Sequence, residues 1–296
     1  TRELYAQYAG VFARHYKDKT GNSVKVSNSN GGSGSQARAV ADGLEADVVT
    51  LALAGDTETL VPRGLIQAGW ESEFLNNSNP YVSTIVLLVR KGNPKGIKEW
   101  SDLSKQGVGV ITPNPKTSGG ARWNFLAAWG SVTLNGGTEE QAKTQLAATY
   151  KNVLVLDSGA RGATQTFVDK GIGDVLIAWE NEALLSVRDS KDFEIVYPGK
   201  TILAEPAVAI VDAVVDRRGT REVATEYLNH LYSDEAQELI AKNYYRPSNP
   251  DILAKYRSQY PDFKKLISIR DFDGWAAVAK KFFDEGAIFD QIYKSG

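Results

Sequence analysis

Three times in this chain a strand pattern runs into a glycine- and serine-rich loop that opens a helix, and this order restricts the fold more than any other feature. The alternating stretch Ser23 to Ser27 predicts a strand, Asn30-Gly31-Gly32-Ser33-Gly34 a loop, and Ala37/Val40/Ala41/Leu44 a helical face before a strand from Asp47 to Leu53. Val108 to Thr112 reads as a strand, Pro113 to Gly120 as a loop, and Ala121 to Trp129 as a helix apolar on all sides. Val153 to Leu156, Asp157 to Gly162 and Ala163 to Lys170 repeat the order. A fourth strand, Asp174 to Ala178, passes directly into Trp179 and a helix from Glu180 to Val187. Such alternation predicts an α/β protein with mostly parallel sheets flanked by helices, since a helical crossover returns the chain to a parallel position.

The rest of the pattern divides the chain. Leu4, Tyr8, Val11, Phe12 and Tyr16 give residues 2–19 a helical spacing that Gly21 can end. Thr138-Glu139-Glu140-Gln141 has capping-box spacing and opens another helix. Two long apolar extended segments, Ser83 to Arg90 and Ala207 to Val211, separate about 80 residues from about 120 and from a mostly helical remainder. A length of 296 residues suits two domains. The expectation is two lobes joined by crossing strands with a hinge: residues 1–80 with 201–296 in lobe one, 81–200 in lobe two, and a ligand cleft between them.

Composition narrows the function. Lys and Arg number 34 against 36 Asp and Glu, for a net charge of −2 without any basic block, which argues against a nucleic-acid partner. The longest aliphatic run, Ile85-Val86-Leu87-Leu88-Val89, is far short of the ~20 residues that a membrane helix needs, so direct membrane insertion is not expected. The chain has no initiator methionine and no signal-type apolar stretch, and reads as a processed or trimmed product. His15 and His230 both fall in helical patterns and cannot build a His-rich metal site, so neither a metal nor a cofactor is expected. Cysteine and methionine are both absent, although they ordinarily serve as buried hydrophobe and core filler. Two readings fit: avoidance of oxidisable side chains, natural or engineered, and economy of sulfur in a protein made when sulfur is scarce.

The loops carry the chemistry. Each lies between a strand end and a helix N-terminus, where open α/β sheets bind ligands. Helix N-termini offer unpaired N–H groups and the positive end of the dipole, and glycines let a ligand approach the backbone. Several such ends together would hold a small anion without formal positive charge. Rival motifs are incomplete. The Gly-x-x-x-x-Gly-Lys-Ser/Thr phosphate loop and the dinucleotide fingerprint are missing, and Gly-x-Ser-x-Gly breaks at Ser35. Ser118 as a nucleophile would lack a base, because no histidine is near any loop in sequence.

The run Asn114-Pro115-Lys116-Thr117-Ser118-Gly119-Gly120-Ala121-Arg122 resembles the signature of prokaryotic periplasmic sulfate-binding proteins. Gly31 to Gly34, Arg90-Lys91-Gly92-Asn93-Pro94, Asp157 to Gly162 and Asp174-Val175-Leu176-Ile177-Ala178-Trp179-Glu180 resemble the same family in the same order. The resemblance implies a two-lobed type II periplasmic-binding-protein fold. It also implies a monomer that hands sulfate to the membrane permease of an ATP-driven importer. Carried over by position, the ligand donors are the Ser33 amide, the Ser118 hydroxyl, the Gly119, Gly120 and Ala160 amides, and the Trp179 indole N–H. Related thiosulfate binders tend to have glycine and phenylalanine where Ala160 and Trp179 stand, which favours sulfate. One departure stands out: the family begins with a core strand and an Asp-Pro turn before its first helix, whereas this sequence starts at Thr1 within the helix pattern.

Around those donors, Arg161 is expected to hold its loop through backbone or carboxylate rather than pair with the ligand. Asp157 and Glu180 are expected as capping and dipole partners, and Tyr244, Tyr245 and Trp275 as packing residues. Thiosulfate or molybdate binding, and hydrolysis of a sulfate or phosphate ester, remain the alternatives.

Overall fold

The computed structural model describes residues 1–263 and 266–294. Its strands are β1 (Val48–Leu51), β2 (Tyr81–Arg90), β3 (Val110–Pro113), β4 (Val153–Asp157) and β5 (Val175–Trp179). These are followed by β6 (Phe193–Val196), β7 (Leu203–Ala204), β8 (Ala207–Ile210) and β9 (Arg246–Pro247). Contacts divide the chain into two compact units. Unit 1 holds Thr1–Gly31, Ser35–Val82 and Glu205–Asp262; unit 2 holds Gly32–Gly34, Ser83–Ala204 and Phe263–Gly296.

In unit 1, β1 and β8 pair antiparallel with Val49 opposite Ala209 and Leu51 opposite Ala207. Their inward residues join Val40, Leu60, Ile66, Trp70 and Val214 in one apolar cluster. The first helix, Arg2–Thr20, buries Leu4, Tyr5, Tyr8 and Phe12 and ends at Gly21 with φ 76°, where only glycine is unstrained. Ser23 to Ser27 does not form a strand. An alternating stretch needs a neighbour to accept its ladder, and none lies beside it among the described residues.

Unit 2 is built on a sheet ordered β4-β3-β5-β2-β6. β3 runs parallel to β4 and β5, while β2 is antiparallel to both β5 and β6. The sheet is therefore mixed rather than mostly parallel. The helix-linked strands β3 to β6 all run one way; β2 enters from unit 1 without a crossover helix and is opposed to its neighbours. Thr138 and Gln141 form the expected capping box of the Glu139–Lys151 helix.

The segment from Phe263 onward also departs from the expected division, which put it in lobe one. Phe282 and Phe283 lie 5.6 and 5.3 Å from the Phe125 ring, and Phe282 lies 5.0 Å from Trp129, so apolar packing holds the segment in unit 2.

Both histidines of the chain meet in unit 1, with ring centroids 4.0 Å apart. Tyr8 donates its hydroxyl to the Tyr227 carbonyl at 2.7 Å, so at 3.2 Å its oxygen accepts from His230 Nδ1–H. His15 Nε2 meets Glu226 at 2.7 Å, Lys19 pairs with the same carboxylate, and Glu235 stands 3.9 Å from His230 Nε2. Burial, and secondarily His15, push the His230 pKa below the ordinary 6.5, against the weaker pull of Glu235 and Glu226. A base with a depressed folded pKa contributes stability when neutral and loses it as pH falls below its unfolded value. The contribution is therefore full above pH 6.5 and declines below it. Glu226 acts lower: Lys19 first, then His15, holds its carboxyl below the ordinary 4.5. Thermal melts should show Tm falling from about pH 7 to about pH 5.5 in the native protein, with a flatter slope in His230→Gln. Equal slopes would remove His230 from the pH dependence.

Candidate functional site

Asn114 shapes the central loop. Its carbonyl accepts from the Thr117 and Ser118 amides at 3.1 and 2.9 Å, and its side-chain oxygen accepts from Lys116 N at 2.9 Å. This asparagine turn brings Ser118 to the N-cap of the Gly119–Thr133 helix, where its Oγ accepts from Ala121 N at 3.3 Å. The hydroxyl proton remains able to donate outward. The Gly119 and Gly120 amides occupy the first turn, which has no intrahelical acceptors.

Gly120 is where the loops meet. A Cβ built on it would stand 3.1 Å from Trp179 Nε1, 3.5 Å from Ser118 Oγ and 3.7 Å from Ala160 Cβ. Trp179 ends β5, caps the Glu180–Asp189 helix and is buried. Its indole N–H has the Gly120 carbonyl at 3.5 Å, the outer limit of a hydrogen bond, and so is only weakly engaged. Ala160 opens the helix Ala160–Val168 after Gly159, again with its amide in the unsatisfied first turn.

The third loop is tied to the second by Thr117 Oγ1, which donates to the Ser158 carbonyl at 2.8 Å. The first loop sits against both. A Cβ on Gly32 would collide with the Thr117 carbonyl oxygen and stand 2.7 Å from that of Ser158. The Cβ position of Gly159 lies 3.4 Å from Gly32 N. Ser33, the next residue, is buried and begins the Ser33–Ala41 helix. Ser33, Ser118, Gly119, Gly120, Ala160 and Trp179 thus all fall within unit 2. Sequence reasoning missed Asn114 and Thr117 as builders of the site; the Asn-Pro dipeptide, a turn initiator, was the available signal.

The neighbouring charges serve the loops. Arg161 donates to Glu182 Oε2 at 3.1 Å, and Arg122 Nε to the Pro115 carbonyl at 3.0 Å. Asp157 does not cap the adjoining helix: its Oδ1 accepts from Thr166 Oγ1 at 3.1 Å, and its buried Oδ2 has no partner among the described residues. Glu180 lies fully buried in the first turn of its helix. Trp275 packs edge-on against Trp123 at 4.7 Å, and Tyr245 packs on Tyr81 at 4.6 Å. Trp179 Nε1 and Ser118 Oγ thus stand beside Gly120, with the Gly119 and Ala160 helices starting at the same loops, and donors of this kind suit an acceptor-only anion.

Residues 2–246 match the model of the bacterial extracellular solute-binding protein family. The chain is 56% identical to the sulfate-binding protein of Escherichia coli, across 99% of its own length and 90% of that relative. It is 46% identical to the thiosulfate-binding protein of Pseudomonas aeruginosa, across 99% and 89%. Among solved structures it superposes on the sulfate-binding protein SubI of Mycobacterium tuberculosis with a TM-score of 0.84 and 33% identity, covering 94% of this chain and 95% of that one. Likeness of this extent along nearly the whole chain establishes that the protein belongs to the bacterial extracellular solute-binding proteins, in the family of the sulfate-binding proteins.

Proposed function

We propose that this protein binds the sulfate dianion in the periplasm and delivers it to the membrane permease of an ATP-driven importer. The observation that carries the reading is the gathering of Trp179 Nε1, Ser118 Oγ and Ala160 around Gly120, at the start of two helices. The ligand donors are the amides of Ser33, Gly119, Gly120 and Ala160, the Ser118 hydroxyl and the Trp179 indole. Sulfate presents only acceptors at neutral pH and matches such a set. Hydrogenphosphate would bring a proton needing an acceptor, which costs about 1–3 kcal/mol when left unpaired in a dry site. In this reading the protein acts as a monomer and turns nothing over, and no histidine belongs to these loops.

Calorimetric titration with sulfate, thiosulfate, hydrogenphosphate and molybdate in turn tests the reading, and sulfate should bind tightest. Its affinity should change by less than about tenfold between about pH 5 and 8, since sulfate stays ionised and the donors do not titrate there. Tighter binding of thiosulfate would transfer the assignment to that anion. Turnover of a chromogenic sulfate or phosphate ester would overturn the binding role.

Two substitutions probe the donors. A hydrogen bond to a charged acceptor contributes about 1.5–3 kcal/mol, so Trp179→Phe should weaken sulfate by about one to two decades while the ring preserves the packing. A variant that loses its fold yet keeps affinity in the surviving fraction would place Trp179 in the core alone. Gly32→Ala brings its methyl against two backbone carbonyls that cannot rotate away, so the first loop must shift. Its affinity should fall by at least about tenfold, whereas Gly10→Ala, where a Cβ meets open space, should bind like the native protein.

A further inference from the structure

Lys116 stands two residues before Ser118, yet its side chain turns to the end of the chain. Its Nζ donates to the Phe283 carbonyl at 2.7 Å and the Asp284 carbonyl at 3.3 Å, and pairs with Asp290 Oδ1 at 2.9 Å. Ammonium has three donors in a compact head, and here two carbonyls and both oxygens of one carboxylate surround it. The Phe283 carbonyl ends the Ala279–Phe283 helix, where carbonyls lack intrahelical partners, and the Asp284 carbonyl that follows it also accepts from Ala287 N at 3.0 Å. Asp290 also accepts from Gly286 N at 2.7 Å, which fixes the turn that presents it. Arg122 binds the Pro115 carbonyl at 3.0 Å while its guanidinium lies 5.5 Å from the Phe283 ring centroid, giving the loop a second link to the same residue.

We propose that Lys116 is a positioning residue for the anion site: its ammonium pins the Asn114–Ser118 loop to the 283–290 segment, so that the Ser118, Gly119 and Gly120 donors are already aimed before a ligand arrives. The inference rests on the sulfate-binding reading for its ligand, but the pin itself is a property of the free protein. The segment it grips is anchored independently, because Phe282, Phe283 and Phe289 pack against Phe125 of the helix that starts at Gly119. Loop, helix and terminal segment therefore form one body, and Lys116 is the polar link that closes it. Its charge is answered by Asp290 and adds no counter-ion for the ligand.

The test compares the native protein with Lys116→Met, Lys116→Arg and Lys281→Met. Lys281 pairs with Glu139 from the same terminal segment without touching the loop, and controls for general loosening. Amide hydrogen exchange at residues 117–121 is measured without ligand, and sulfate affinity by calorimetry. Lys116→Met should exchange faster at these amides and lose about tenfold in affinity, the penalty of ordering the loop on binding. Lys116→Arg, which can keep the pair with Asp290, should recover most of both, and Lys281→Met should alter neither. Should Lys116→Met not fold, Asp290→Asn is read in the same way. Native-like exchange and affinity in Lys116→Met, or equal losses in Lys281→Met, overturn the pin. If the native protein fails to titrate with sulfate, the functional reading falls while the exchange rates still decide the pin.

Discussion

On the proposed reading, a doubly charged anion held without a cation requires several helix N-termini to face one point, and unit 2 starts its Ser33, Gly119 and Ala160 helices at loops that touch one another. An isolated N-terminus carries only about half an elementary charge. Each amide donating to a charged acceptor adds roughly 1.5–3 kcal/mol, so several must act together. That forces the backbones of three loops into contact, which explains why Gly32, Gly120 and Gly159 stand where they do. Side chains there would meet carbonyls, the Trp179 indole or the neighbouring loop. The nearby cations are committed to loop structure: Arg161 to Glu182, Arg122 to the Pro115 carbonyl and Lys116 to Asp290. An anion held in the proposed way would be stabilised by dipoles that need not reorganise when it leaves.

The sulfur-free composition has a structural counterpart. Methionine would normally fill irregular gaps, and this chain has none. Unit 2 fills the space behind the Gly119–Thr133 helix with stiff rings instead. Phe125, Trp129, Phe282 and Phe283 stand 5.0 to 5.6 Å from one another in their closest pairs, and Tyr150 lies 5.4 Å from Phe289. Rings with few rotamers give the helix a rigid backing. A rigid backing suits a helix whose N-terminal amides must keep their aim.

What was legible in the sequence was local. Glycine and serine punctuation marked the loops, and the strand and helix periods on either side were close to the observed elements at β3, β4 and β5. The six proposed donor positions were taken from those loops together with family resemblance; what the structure adds is that Gly32 lies against the Thr117 and Ser158 carbonyls and that Trp179 Nε1 and Ser118 Oγ stand beside Gly120. What depended on distant partners was misread or unseen. Ser23 to Ser27 had the alternation of a strand but no neighbour, and β2 had a strand's composition without any mark of its antiparallel direction. The terminal segment went to the wrong unit because Phe282 and Phe283 find Phe125 only after the chain has folded back. Lys116 was invisible as a link because two of its acceptors are backbone carbonyls, which have no signature in sequence.

Discrimination between oxyanions of one size then comes down to where acceptors are kept. The sequence puts carboxylates beside the loops at Asp157, Glu180 and Glu182, and any of them in front of the helix ends would both repel sulfate and welcome a protonated anion. Glu182 is turned to Arg161. Asp157 is held by Thr166, which comes six residues after Ala160 and so lies about 9 Å along the helix at 1.5 Å per residue. The Asp157 Oδ1 nevertheless lies 3.4 Å from where a Cβ of Gly162 would stand, so the carboxylate rests against the first turn of that helix, held on the side that Thr166 reaches. Turning Glu182 to Arg161 takes one acceptor away from a ligand proton, so in the proposed site selection for a fully ionised anion would rest on carboxylate placement as well as on the donors.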